Sequence, residues 1–243
     1  MTVGQEDVRT RKGALAQQRL LASALRLFGA RGYDATTMRE IAAEAGYSPG
    51  LTYRYFRGKD ELVMLLYRQL EADLNGYARS LPPAPLAERF YATLSRLLDL
   101  MTPHRETLLA LFGTALNSRS TVGVLSESTA DIRWKSRAMY LALIEGASDA
   151  PRGAQRQDLA TILYGGHLAI VFFWLLDRSA EARQTRLLLA FVRDLLKLVQ
   201  PLLWLPAVSR MTIRLARIIG PVLDAEEQRP RPDAQNTGGA GGI

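Results

Sequence analysis

The sequence of 243 residues contains no cysteine and only two histidines, His104 and His167. The absence of cysteine excludes disulfide bonds, cysteine-based zinc sites and thiolate catalysis. With two histidines, a histidine-rich metal centre is excluded as well. No catalytic combination of serine, histidine and aspartate is recognisable. We therefore expect no metal, no cofactor and no enzymatic activity; an enzyme in the C-terminal part is the competing class.

Acidic residues are in the minority, since 31 lysines and arginines face 24 aspartates and glutamates and give a net charge of +7. This balance favours a polyanionic partner such as nucleic acid without establishing one. The composition, 48% hydrophobic and 23% charged, is that of an ordinary globular protein. At this length we expect one small domain and one larger one.

The sequence also lacks sustained alternation of apolar and polar residues, so no strand is predicted. Apolar residues recur instead at helical spacing, as at Leu20, Ala24 and Phe28. The predicted fold class is therefore all-α, and proline and glycine clusters mark the breaks. Helices are predicted at 13–31, 37–45, 48–56, 59–80, 86–101, 104–117, 124–147, 155–177, 181–204 and 207–220.

The predicted domains are a flexible basic arm at 1–12, a DNA-binding domain at 13–62, a larger helical domain at 63–224 and a disordered tail at 225–243. The tail lacks an apolar stripe and ends in a glycine-rich run. Arg9, Arg11 and Lys12 in the arm either contact a minor groove or phosphates, or form a solvated charged N-terminus.

The first 20 residues lack the apolar segment of a secretory signal, so a cytoplasmic protein is expected. Residues 159–176 carry no formal charge over 18 positions, which is the short limit for a membrane span. Gly165, Gly166 and His167 lie inside this segment. We expect a helix buried by protein and no membrane; a membrane-associated helical protein, with 207–220 as an amphipathic surface helix, is the alternative.

Local signals between 37 and 56 predict two short helices joined by a tight turn. Thr37 and Glu40 form a capping box, which starts the first helix. Gly46 provides the turn, and Ser48 followed by Pro49 starts the second helix. This arrangement is the helix-turn-helix, whose second helix enters the major groove of DNA.

The second of these helices has unusual residues for its length. Gly50 costs stability inside a helix, which indicates either close approach to DNA or close helix packing. From helical spacing we expect Phe56 in the core and Tyr55 on the DNA side. Lys59, just before the acidic residues that open the next helix, either reaches a phosphate or is a solvated surface lysine.

A set of short pieces stands at fixed spacing between residues 27 and 62. The pieces are Leu27-Phe28, Gly32-Tyr33, Thr36-Thr37, Ile41-Ala42, Ala45-Gly46-Tyr47-Ser48, Gly50-Leu51, Tyr53-Arg54-Tyr55-Phe56 and Lys59-Asp60-Glu61-Leu62. In this combination the sequence resembles the TetR/AcrR family of bacterial transcriptional regulators. Thr52 departs from the family pattern, which usually has an apolar residue there.

The resemblance implies an all-helical homodimer that binds a pseudo-palindromic double-stranded DNA operator. It implies a repressor released by a small molecule in the C-terminal domain; a ligand-dependent activator on the same fold is the alternative. Carried over by position, the phosphate contacts are Thr37, Tyr53, Tyr55 and Lys59. The residues that face the groove are Ser48, Pro49, Gly50, Leu51 and Arg54.

The larger domain carries no motif, so its sites are predicted from residue type. An effector pocket for an apolar or amphipathic molecule is expected among the helices from 86 to 177. Its candidate residues are His104, Trp134, Tyr140, His167 and Phe173. We expect helices 155–177 and 181–204 to pair and form a four-helix dimer interface, or else the monomer core. The candidate interface residues are Leu163, Gly166, Ile170, Leu188, Phe191 and Leu195.

Overall fold

A computed structural model describes residues 3–115, 122–123, 126–151, 153 and 155–223, with side chains of 3–11 and 113–115 excepted. Within these ranges the chain is helical and has no strand, which confirms the predicted all-α class. The predicted tail at 225–243 lies outside the described residues. The helices are α1 Val3–Arg31, α2 Met38–Ala45, α3 Pro49–Tyr55, α4 Lys59–Ser80, α5 Leu86–Met101, α6 Arg105–Ala115, α7 Ala130–Glu145, α8 Gln155–Leu176, α9 Arg183–Val199 and α10 Pro206–Leu223.

Three helix ends differ from the sequence prediction by five residues or more. Helix α1 begins at Val3 rather than at 13. The segment before residue 13 has few apolar residues, but a helix does not require them, and no proline interrupts the segment. Helix α7 begins at Ala130 rather than at 124, after a 3-10 turn. Helix α9 ends at Val199 rather than at 204, because Pro201 has no backbone N–H and a 3-10 turn follows.

The N-terminal helices share a small apolar core. Leu20, Phe28 and Ile41 are fully buried there, and Phe56 closes the core from the end of α3, as predicted. Thr52, the departure from the family pattern, is also fully buried. Its hydroxyl donates to the carbonyl oxygen of Ser48 at 3.1 Å, so the polar group has its partner inside the core.

The larger domain is built around α8. Its main neighbours are α7 and α10, whereas α9 lies antiparallel on α5. Ion pairs mark that second pairing: Lys197 Nζ lies 2.5 Å from Glu88 Oε1, and Arg186 lies 3.6 Å from Asp99. The predicted pairing of α8 with α9 is therefore minor, because α10 packs on α8 at Gly165 instead.

Asp177 fixes the corner between α8 and α9. Its carboxylate accepts hydrogen bonds from the backbone N–H and hydroxyl of Ser179, at 2.9 and 2.6 Å. It also accepts from the N–H and hydroxyl of Thr185, at 2.8 and 2.7 Å. Burial opposes ionisation of Asp177, but the four donors outweigh burial and hold its pKa well below the ordinary value.

We expect Asp177→Asn to lower the free energy of unfolding at pH 7 by about 2 kcal/mol, because charged acceptors form the stronger hydrogen bonds. A lowered pKa stabilises the fold above the unfolded-state pKa of about 4, and that stabilisation is lost as the pH falls below it. Urea unfolding at pH 7 and pH 3 should therefore show the difference between wild type and variant shrinking at pH 3. The exposed Asp73→Asn on α4 is the control, and an equal difference at both pH values would contradict the account.

Candidate nucleic-acid interface

The turn between α2 and α3 has the geometry that the sequence predicts. Thr37 Oγ1 accepts from the N–H of Glu40 at 3.3 Å, and Glu40 Oε2 accepts from the N–H of Thr37 at 2.8 Å, which completes the capping box. Gly46 ends α2 with φ 74° and ψ 29°, a left-handed conformation that favours glycine. Ser48 Oγ then caps α3 by accepting from the N–H of Leu51 at 3.2 Å. Both short helices are thus encoded locally.

The start of α3 forms an open face. Ser48, Pro49 and Gly50 are exposed, and Leu51 is half-buried. A Cβ at Gly50 would meet no atom within 4 Å, so this glycine is not needed for helix packing within the subunit. Of the two interpretations of Gly50, close approach of an external surface is the one that fits.

The tyrosines of α3 point to different surroundings. Tyr53 is 51% exposed. Tyr55 is half-buried against the core, and a Cβ at Gly13 of α1 would lie 3.8 Å from its ring. Tyr53 is therefore the freer of the two phenols, and a phosphate contact by Tyr55 stays a prediction.

Lys59 holds the turn between α1 and α2. Its ammonium donates to the carbonyl oxygens of Tyr33 at 2.7 Å and Asp34 at 3.4 Å, and it lies 4.4 Å from the centroid of the Tyr33 ring. The Tyr33 hydroxyl donates to Asp60, beside Lys59 in the first turn of α4. Burial and the Asp60 carboxylate raise the pKa of Tyr33 far above its ordinary value, so the phenol stays protonated.

Basic side chains around the helix-turn-helix fall into two groups. Arg31 and Arg26 of α1 pair with α2, the first with Glu40 at 3.2 Å and the second with Glu44 at 3.0 Å. Arg39 and Arg54 are exposed and make no ion pair with the residues that the structure describes. Arg54 was predicted to face DNA. Arg39, in the first turn of α2 close to Thr37, is not among the residues predicted to contact DNA.

A cavity of about 150 Å³ lies among α4, α5, α6, α7 and α8. His167 lines it, and Tyr140 lies behind His167, with 3.0 Å between its hydroxyl and Nδ1. The other lining residues were not predicted, because helix phase rather than residue type selects them. They are Tyr67, Leu70, Glu71, Leu74, Leu97, Met101, Leu108, Thr129, Ile132, Arg133, Ser136, Tyr164, Leu168 and Val171.

The remaining predicted pocket residues do not meet at this cavity. Trp134 is 65% exposed on α7, and Phe173 is 41% exposed on α8, because both lie on outward helix faces. His104 lines a separate depression beside α1 and α4. Burial lowers the pKa of His104 below its ordinary value.

The predicted dimer residues also divide by helix face. Leu163 and Ile170 are buried inside the subunit, so these two are corrected to core positions; Gly166 is half-buried, and a Cβ there would lie 4.0 Å from Phe90. Leu188 is half-buried, whereas Phe191 is 63% exposed and Leu195 is also exposed. Only the α9 part of the predicted set is open to a partner.

Helix α8 is long and apolar enough to cross a membrane by length and composition, with a mean hydropathy of 1.9 over the best window. Core helices of soluble proteins pass the same test, so the finding is weak support for a span. In this fold α8 contacts α7 and α10, and Tyr164 and His167 on it line the cavity.

Comparison with known families connects these features. A family model described as "Bacterial regulatory proteins, tetR family" matches residues 20–64, which contain the helix-turn-helix. A second, described as "Tetracyclin repressor-like, C-terminal domain", matches residues 89–208. The two together cover more than half of the chain. The chain belongs to the TetR family.

Among curated TetR-family relatives, the chain is 40% identical over 77 residues to the HTH-type transcriptional regulator BetI of Brucella anthropi. That alignment covers 30% of this chain and 36% of BetI, so the chain aligns with about a third of the first curated relatives' length. It is 25% identical over 180 residues to the HTH-type transcriptional repressor KstR of Rhodococcus jostii, over 74% of this chain and 82% of KstR.

Solved TetR-family structures share the fold at low identity. A TetR transcriptional regulator from Nitrosomonas europaea has a TM-score of 0.57 at 20% identity, over 74% of this chain and 96% of that one. GusR from Salmonella enterica has a TM-score of 0.60 at 16% identity, over 76% and 95%. These structures show the fold alone, and that fold agrees with the family that the two domain matches assign.

Lys59 has a third N–H beyond the two that hold the turn, so a phosphate contact remains its predicted second role. We expect Lys59→Ala to weaken binding to all DNA sequences and to reduce the slope of log affinity against log salt by about 0.9 for each phosphate that is no longer neutralised. Fluorescence anisotropy across a salt series measures both quantities. Arg57→Ala, an exposed neighbour paired with Glu61, is the control. If Lys59→Ala lowers the affinity but leaves the slope unchanged, Lys59 makes no phosphate contact and only holds the turn between α1 and α2.

Proposed function

We propose that this TetR-family protein is a homodimeric, cytoplasmic repressor of a pseudo-palindromic operator, with one α3 in each of two successive major grooves. The observation that carries this proposal is the open face at the start of α3 on a locally encoded helix-turn-helix. A DNA-reading helix needs such a face, and the name of the KstR relative supports repression.

Base reading and phosphate binding are assigned to different side chains of this interface. Ser48, Pro49, Gly50, Leu51 and Arg54 form the groove set. Thr37, Tyr53, Tyr55 and Lys59 form the phosphate set. Because phosphates carry no sequence information, the two sets have separable effects on affinity and on sequence preference.

The operator is identified by incubating the protein with sheared DNA from its own genome at near-physiological salt and sequencing the retained fragments. Salt at this level suppresses non-specific retention. The proposal expects a few fragments that share an inverted repeat. Diffuse retention without a shared repeat would contradict sequence-specific binding by this dimer.

Variants of α3 then test the assignment of roles. We expect Tyr53→Phe to weaken every operator variant by a similar factor, because it removes a hydroxyl that binds phosphate. Leu51→Gln should change the preferred base at one position in each half-site, because it alters a groove contact. Selection from a randomised operator library measures both effects. If Tyr53→Phe changes the preferred base at any operator position, the assignment of Tyr53 to the phosphate set is wrong.

Dimerisation is proposed through the apolar stripe on α9, defined by Phe191, Leu195 and Leu198, which lie at coiled-coil spacing and are all exposed. Exposed aromatic and leucine side chains in such a row are typical of a protein interface rather than of a monomer surface. Other exposed apolar residues on α9 and after it are Leu187, Leu202, Trp204 and Leu205.

We expect Phe191→Glu to shift the protein from dimer to monomer, because it places a charge in the apolar contact, and to weaken operator binding at least about tenfold. Analytical ultracentrifugation measures the first effect and anisotropy the second. Trp134→Glu, equally exposed on α7, is the matched control. If the Phe191→Glu variant forms a dimer as stable as that of wild type, the dimer interface does not include the apolar stripe on α9.

Regulation is proposed through α4, which belongs to both functional regions. Its first turn holds the turn between α1 and α2 through Lys59, and its later residues Tyr67 and Leu74 line the cavity. Helix α6 gives a second connection between the cavity and the N-terminal domain. Its Thr107 hydroxyl donates to the carbonyl oxygen of Leu25 in α1 at 2.7 Å. A small molecule in the cavity changes DNA affinity if it binds one arrangement of these helices better than the other.

A further inference from the structure

The surface of the cavity narrows the class of molecule that fits it. Most lining side chains are aliphatic or aromatic, among them Leu70, Leu97, Met101 and Val171. The volume of about 150 Å³ is of the order that holds a single aromatic ring, and well below the roughly 300 Å³ at which drug-sized ligand sites begin. A long acyl chain would have to extend beyond this space.

The charged groups at the cavity already have protein partners. Arg133 Nη1 donates to the carbonyl oxygen of Ser126 at 2.6 Å and to Thr129 Oγ1 at 2.7 Å. Glu71 Oε1 accepts from the side-chain amide of Asn75 at 3.0 Å. Arg133 and Glu71 carry opposite charges, so the lining offers no net charge to compensate a charged ligand, and such a ligand would lose its own hydration at a high cost. The lining therefore favours an uncharged ligand.

The hydrogen bond between Tyr140 and His167 determines which ring nitrogen of the histidine carries the hydrogen. Tyr140 is fully buried, and a buried phenol O–H needs an acceptor. Among the described residues, His167 Nδ1 is the atom within hydrogen-bond distance of that hydroxyl. Burial lowers the pKa of His167 to about 4, so the imidazole is neutral at pH 7. If Nδ1 accepts, the hydrogen is on Nε2.

His167 thus brings an N–H donor to a mostly apolar cavity. Its ring lines the cavity, and Nε2 has no hydrogen-bond partner within the described part of the chain. An N–H donor in apolar surroundings selects strongly for an acceptor, because an unmatched polar group costs free energy there.

We propose that the cavity binds an uncharged molecule with an apolar body of about one ring and one acceptor, such as a carbonyl oxygen, that takes the hydrogen bond from His167 Nε2. This inference rests on the proposed function, because it names the ligand class of the site that would regulate DNA binding. It narrows the sequence prediction of an apolar or amphipathic effector to an uncharged, ring-sized molecule.

Three ring-sized probes test the inference on the full chain without DNA: acetophenone, ethylbenzene and benzoate. Ligand-observed NMR titration gives the dissociation constant of each. We expect acetophenone to bind about fivefold more tightly than ethylbenzene, as one net hydrogen bond provides. We expect benzoate to bind at least about tenfold more weakly than acetophenone, because its charge must be buried.

His167→Phe keeps a ring in place and removes the donor, so the preference for acetophenone over ethylbenzene should disappear. The double variant His167→Phe with Tyr140→Phe also removes the phenol that would lose its acceptor, and should give the same result if the single variant unfolds. His104→Phe, at the other histidine and outside the cavity, should keep the preference.

Benzoate binding as tightly as acetophenone, no saturable binding of any probe, or a preference that survives in both His167 variants would overturn the inference. Operator release by acetophenone is measured separately. Binding with the expected preference and no effect on the operator would support the ligand class and contradict the regulatory part of the proposed function.

Discussion

The contact between the first turn of α4 and the turn after α1 is the constraint on which the rest of the structure depends. Lys59 and Asp60 bind Tyr33 from both sides, one at its carbonyl and ring and the other at its hydroxyl. The helix-turn-helix is thereby fixed to α4, and α4 runs without a break to Ser80 past the cavity. A shift of α4 at the cavity must therefore act on the DNA-binding domain.

The sequence predicted the N-terminal domain well because its structure is encoded by neighbouring residues. Capping at Thr37, the left-handed turn at Gly46 and the cap at Ser48 each depend on contacts within four residues. Phe56 followed from helical spacing. The structural role of Lys59 could not be predicted in this way, because its partner Tyr33 is 26 residues away and only the fold brings them together.

The sites of the larger domain were predicted less well, for a physical reason. Histidine and aromatic residues were selected by type, but the rotational phase of each helix decides whether a side chain faces a cavity or solvent. Trp134 and Tyr140 are six residues apart on the same helix, which separates them by about 120° around its axis, so Trp134 is exposed and Tyr140 is buried. Likewise, the short link between α8 and α9 suggested a pair, whereas α10 packs on α8. Nothing local in α10 encodes that choice.

The proposed function requires two copies of this chain to present their α3 helices one turn of DNA apart. Because the chain has no cysteine, Ala43→Cys on the exposed side of α2 places a single spin label on each subunit. Double electron–electron resonance on the protein bound to a selected operator should give one narrow distance of about 35 to 45 Å, since successive half-sites are about 35 Å apart. A missing intersubunit distance, or a broad distribution centred beyond about 60 Å, would contradict the account.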